Sequence, residues 1–104
     1  MIVTTTETVP GREIAEALGV ARGSVVRARF FGRDILAGLR SIVGGEIDEY
    51  TRLLAQSREQ AYTRMIEHAQ AMNADAVVNV RFTTTTMMQG SAEMLAYGTA
   101  VRFA

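Results

Sequence analysis

The stretch REIAEALGVARGSVVRARF, residues 12–30, decides how much of the early chain can enter a sheet. In its first half, Glu13, Ala15, Glu16, Ala17 and Leu18 permit a helical turn. In its second half, Gly19 and Gly23 interrupt any helix, and the β-branched Val20, Val25 and Val26 favour extended chain. The second half is read as a strand, and the first half admits either conformation.

Upstream, MIVTTTETV (residues 1–9) is rich in β-branched side chains and ends at Pro10 and Gly11, the pattern of a short first strand. Downstream, the hydrophobic period changes at Phe31. Ile35, Leu36, Leu39, Ile42 and Val43 repeat at helical spacing and predict a short amphipathic helix stopped by Gly44 and Gly45. A longer helix follows: Ile47, Tyr50, Leu54, Ala61, Met65, Ala69 and Met72 share a stripe that Leu53, Tyr62 and Ile66 widen. Asp48 and Glu49 sit where negative charge favours a helix start, and Asp48 can meet Arg52 one turn on. Such exposed contacts contribute only about 0.3–1 kcal/mol each, so burial of the apolar face dominates.

Asn73 is suited to a left-handed cap at the helix end, and Asp75 can join that turn. AVVNVRFTTTT (76–86) then reads as a strand with Val78, Val80 and Phe82 on one face and Val77, Asn79 and Arg81 on the other. A loop around MMQGS leads to a last strand, AEMLAYGTAVRF (92–103). There Leu95, Tyr97, Thr99, Val101 and Phe103 alternate with Met94, Ala96, Gly98, Ala100 and Arg102. The two late strands are read as antiparallel neighbours.

The pattern is α+β: a small antiparallel or mixed sheet, one short and one long helix, and strands at both ends of a single domain spanning residues 1–104. Helices can cover one sheet face. The other carries Met94, Ala96 and Ala100 or, in the opposite orientation, Leu95, Tyr97 and Val101. An exposed apolar face and bare strand edges are both relieved by self-association, although strand twist and the long helix could also suffice for a monomer.

Eleven basic residues balance eleven acidic ones and are scattered, which argues against a nucleic-acid partner. The absence of cysteine excludes disulfides, zinc–cysteine sites and a thiol nucleophile. No secretory signal or membrane-length apolar run is recognisable, so a soluble cytoplasmic protein without a membrane partner is expected.

The Gly44–Gly45 pair in RSIVGGEIDEYT (40–51) lacks the spacing and Lys-Ser or Lys-Thr ending of a nucleotide loop, and Glu46, Asp48 and Glu49 would repel phosphate. A helix joint is favoured over an anion site. Arg33, Asp34, Arg40, Glu46 and Tyr50 can form charge-assisted bonds at that joint or at a subunit boundary, or line a polar pocket. The sole histidine, His68, has Arg64 one turn before it, and Glu67 points about 100° away around the helix. It is read as a surface or boundary residue. Thr83 to Thr86 have no sequence-linked base and are read as surface hydroxyls; Met87, Met88 and Met94 are read as packing groups, and Phe30 and Phe31 as anchors at a strand-to-helix transition. No catalytic residue, metal ligand or cofactor is assigned.

The ordered set FFGRDILAGLRSIVGG, EYTRLLAQSREQAYTRM, NADAVVNVRF and GTAV resembles the YbjQ-like family, also labelled heavy-metal-binding. The resemblance covers nearly the whole chain. It rests on the combination of Arg33, Asp34, Gly38, Arg40, Gly44, Gly45, Tyr50, Ala74, Asp75, Ala76, Val77, Gly98, Thr99 and Ala100. It implies a compact α+β subunit assembled as a homopentamer, with an early region more extended than EIAEAL suggests. The heavy-metal label supplies no mechanism, and without cysteine or a second histidine no ligands are carried over. The expectation is a non-enzymatic oligomeric assembly or small-ligand-binding protein, whose partners are itself and a small ligand or cation. Metal binding by carboxylates at a subunit or symmetry-axis interface is the alternative, and hydrolysis a more remote one.

Overall fold

The computed structural model describes residues 1–28, 48–88 and 91–104, with side chains described for 1–27, 51–85 and 91–104. The short helix expected after Phe31 and the Gly44–Gly45 joint lie outside the described residues. In chain order the elements are β1 (Ile2–Val3), β2 (Ile14–Ala28), α1 (Asp48–Ala71), β3 (Ala76–Met88) and β4 (Ser91–Phe103). The strands form one mixed sheet in the order β1-β3-β4-β2. β4 is antiparallel to both β2 and β3, and β1 runs parallel to β3.

From Ile14 to Ala28 the early stretch is extended chain. β2 pairs with β4 from Ile14↔Phe103 to Ala28↔Ser91, so the helical turn that Glu13 to Leu18 would permit does not form. Register shifts at Ile14/Glu16 and Ala17/Gly19 absorb the extra residues, and Gly19 has φ +139°, which other residues rarely adopt. A long ladder outweighs propensity differences of a few tenths of a kcal/mol per residue.

α1 has 24 residues and so spans about 36 Å. It ends in a Schellman motif: the Asn73 amide donates to the Gln70 carbonyl at 3.0 Å and the Ala74 amide to the Ala69 carbonyl at 3.1 Å, with Asn73 at φ 63°. Asp75 then ties the turn to β4. Its amide donates to the Val101 carbonyl at 2.8 Å and its Oδ2 accepts the Phe103 amide at 2.8 Å.

Two apolar clusters lie on opposite faces of the sheet. The larger joins Ala61, Met65 and Ala69 of α1 to Ala21 and Val25 of β2, Val77 and Val80 of β3, and Met94, Ala96 and Ala100 of β4. The smaller holds Ala76, Val78, Val101 and Phe103 against Val9 of the N-terminal segment and Ile14 at the start of β2, with the Arg12 guanidinium 4.2 Å from the Phe103 ring centroid.

This division corrects the alternation expected for β3. Asn79 has φ 55° and sits in a bulge between Val78 and Arg81, so Val77 and Val80 face α1 together while Val78 faces away. The bulge is held from outside: the Asn79 amide donates to the Thr6 carbonyl and the Val80 amide to the Thr4 carbonyl, each at 3.0 Å. The first strand is accordingly short. After Val3 the threonines turn on their own hydroxyls, with Thr6 Oγ1 donating to the Thr8 carbonyl at 2.6 Å.

α1 approaches the sheet closest at Gly23. A Cβ there would overlap the Ala61 carbonyl oxygen and the Met65 amide nitrogen and lie 2.7 Å from Arg64 Cβ. The absent side chain sets the helix-to-sheet distance.

Candidate functional site

Of the polar cluster singled out in the sequence, Arg33, Asp34, Arg40 and Glu46 lie outside the described residues. Tyr50 falls in the first turn of α1, and its side chain is likewise outside them. Phe30, Phe31, Met87 and Met88 give no described side chains either, whereas Met94 is buried in the larger cluster. Thr83, Thr84 and Thr85 are exposed on β3, and Thr84 Oγ1 donates to Met94 Sδ at 3.3 Å.

His68 acts on a strand edge. Its Nδ1 accepts the Arg22 amide at 3.1 Å, which places the proton of the neutral ring on Nε2. One turn earlier, Arg64 Nη1 donates to the Ser24 carbonyl at 2.6 Å; another turn earlier, Gln60 Oε1 accepts from Arg27 Nη2 at 2.5 Å. Gln60, Arg64 and His68 recur every four residues and so form one stripe along the helix. Arg22 and Ser24, two apart in an edge strand, turn their backbone groups to the same side. The stripe thus supplies partners to the outer edge of β2, and its i, i+4, i+8 spacing was legible beside the apolar stripe.

Nearer the start of α1, a small hollow with room for about one water molecule lies between the helix and the sheet. Val25, Leu54, Ala92 and Met94 give it apolar walls, and Arg27, Thr84 and Glu93 complete its lining, with Arg27 already donating to Gln60. Ser57 also lines it; only 2% of this residue is exposed, and its Oγ has no hydrogen-bond partner. Sequence reading missed Ser57 because a lone serine in a helix carries no periodic signal.

The helix-free sheet face is a third feature. Opposite Thr99, Tyr97, Leu95 and Glu93 of β4 stand Val20, Arg22, Ser24 and Val26 of β2. Val20 is 58% and Val26 54% exposed, and Tyr97 is exposed beside them. Arg81 of β3 flanks Tyr97 from the other side, its Nη1 donating to the Thr5 carbonyl at 3.1 Å. No described element covers this end of the face; the N-terminal segment covers only the end at Val101 and Phe103.

Among the described residues, no three His, Cys, Asp or Glu side chains gather as a metal-holding group, and no helix is long and apolar enough to cross a membrane. A family model described as "Putative heavy-metal-binding" matches residues 1–104. The chain belongs to the YbjQ-like family. Relatives in this family include a UPF0145 protein of Archaeoglobus fulgidus, 64% identical over 102 residues that cover 98% of this chain and 94% of that one. A UPF0145 protein of Methanosarcina acetivorans is 57% identical, covering 98% and 96% of the two chains. The fold also matches the crystal structure of a protein of unknown function from Pediococcus pentosaceus, with a TM-score of 0.67 at 15% identity and coverage of 100% and 98%. YbjQ-like membership accounts for the α+β architecture and for the sequence motifs that carry the resemblance. The heavy-metal description names no residue.

Proposed function

We propose that this YbjQ-like chain is a subunit of a closed homo-oligomer that forms across the helix-free sheet face, and that it serves as an assembly and binding scaffold. The observation that carries this reading is the row of exposed Val20, Val26 and Tyr97 beside Leu95. Exposed apolar side chains on a sheet face that no described element covers favour association. The surface total supports it: 6866 Å² is accessible, against about 5,700 Å² for a compact monomer of this mass. So does the elongation, with extents of 55 × 25 × 15 Å and a radius of gyration of 17.0 Å, where about 13 Å is ordinary for this length. Arg22 and Arg81 at the rim favour a partner surface that meets them with acceptors, and a ring of five copies is the assembly that the family resemblance implies.

Native mass spectrometry and light scattering test this reading. The wild type is expected to run as one closed species of five subunits. Val20→Lys combined with Val26→Lys is expected to release monomers with an unchanged helix signal in circular dichroism. A wild type that stays monomeric at tens of micromolar, or a double variant that assembles normally, would sink the proposal. Exhaustive chelation separates the metal-binding reading. Assembly that survives chelation supports a metal-independent interface; assembly lost and restored by one stoichiometric cation places carboxylates of several subunits around an ion.

A further inference from the structure

The two sides of the sheet end differently. β2 forms one edge, and side chains of α1 close its middle: His68 accepts the Arg22 amide and Arg64 donates to the Ser24 carbonyl. On the other side, β1 pairs with β3 only at Ala76 and Val77, and the threonine segment reaches no farther than the Val80 amide. That amide points away from β4, so alternation turns the amides and carbonyls of Phe82, Thr84 and Thr86 the same way. Among the described residues, no backbone or side-chain group pairs with them.

The stretch from Phe82 to Thr86 also lacks the usual protection of a free edge: it has no charge and no proline, and its register against β4 is unbroken. Arg81, just before it, holds its guanidinium back on the Thr5 and Val80 carbonyls. α1 packs chiefly on β2 and β4, so Phe82 stacks on Tyr62 and still remains 46% exposed. A row of outward backbone donors and acceptors is met by an extended chain. With the β2 edge engaged at its middle, the surface that matches this row is the β3 edge of a second copy. We propose that the β3 edges of two copies pair antiparallel about a two-fold axis at Thr84, joining their sheets. This register sets Phe82 opposite the counterpart of Thr86 and threonines opposite threonines, with no like charges facing each other. The pairing uses a sheet edge rather than the helix-free face and is independent of the proposed ring.

Deuterium exchange of the full chain at several protomer concentrations tests the pairing. Uptake at the Phe82 and Thr84 amides is expected to slow about tenfold between roughly one micromolar and hundreds of micromolar. The Val20→Lys, Val26→Lys double variant should show the same slowing, because its edge is intact; light scattering should find it monomeric at tens of micromolar and dimeric well above that. Thr84→Pro removes an outward amide without touching the ladder to β4, and should abolish the slowing and the dimer. Thr84→Lys, which sets like charges against each other at the axis, should do the same while keeping the backbone, and Thr84→Val should retain both. Circular dichroism confirms that each variant is folded. Uptake that is already slow at the lowest concentration would mean that the edge is covered within its own subunit. That result, uptake that stays fast at every concentration, or slowing that survives Thr84→Lys would each overturn the proposal. A ring that fails to form leaves these readouts unchanged, so the two readings fail separately.

Discussion

The two faces of β4 are made by one strand and live in different environments. Toward α1 it presents Ala92, Met94, Ala96, Gly98 and Ala100, all buried; away from α1 it presents Glu93, Leu95, Tyr97 and Thr99, none of them buried. Side-chain size explains the division. Small residues let a helix backbone come close, as Gly23 does on β2, whereas Tyr97 or Leu95 under the helix would hold it off. The helix-covered face is specified by what is missing from it, and the helix-free face by what projects from it.

Substitutions on the two faces should therefore act through different mechanisms. The largest effect is expected at Gly23. Gly23→Val drives a branched side chain into the α1 backbone at Ala61 and Met65, with an expected loss of about 3 kcal/mol or more. Thermal unfolding followed by circular dichroism reports it, and a variant that melts within a few degrees of wild type would mean that the helix is free to move away.

A smaller effect is expected where α1 is anchored to that face. Asn73→Ala places a residue with a Cβ and no local hydrogen-bonding group at φ 63°, with an expected loss of about 1 kcal/mol in urea unfolding. Asn73→Gly should be neutral or slightly stabilising. If both variants lose stability equally, the Asn73 side chain is making a tertiary contact and the cap is not its main role.

The smallest effect on the subunit itself is expected from the helix-free face. Tyr97→Ser should change the stability of the isolated subunit by no more than about 0.5 kcal/mol, as exposed positions do. In the assembly its effect should grow with protein concentration, because association contributes to stability by mass action. Unfolding of Tyr97→Ser and wild type at several protomer concentrations separates the two contributions. A large loss that is independent of concentration would show that Tyr97 packs within its own subunit.

Much of the fold is legible in the order of the residues. The stripe through Ala61, Met65 and Ala69 locates α1, Asn73 locates its end, and alternation locates the last strand, because each signal is carried by neighbours in sequence. The candidate site is less legible. The cluster Arg33, Asp34, Arg40, Glu46 and Tyr50 lies outside the described side chains, and the features that α1 and the sheet create together involve residues with no local pattern. Ser57 stands out only because its hydroxyl is buried without a partner. His68 acquires a role only because the fold places against it the amide of Arg22, 46 residues away in the chain.

The sequence by itself determined the helix, its stop, the late strand pair and the extended chain from Gly19 to Ala28, since periodicity, left-handed cap chemistry and β-branching act over a few residues. Tertiary structure decided three things those signals could not. It drew Ile14 to Leu18 into β2, because β4 offered a ladder along their whole length. It inverted the face of Val78 relative to Val80, because Thr4 and Thr6 supplied the carbonyls that stabilise a bulge at Asn79. It also chose which side of the sheet α1 covers, because that choice depends on how closely two backbones can approach, and Gly23 lies between them.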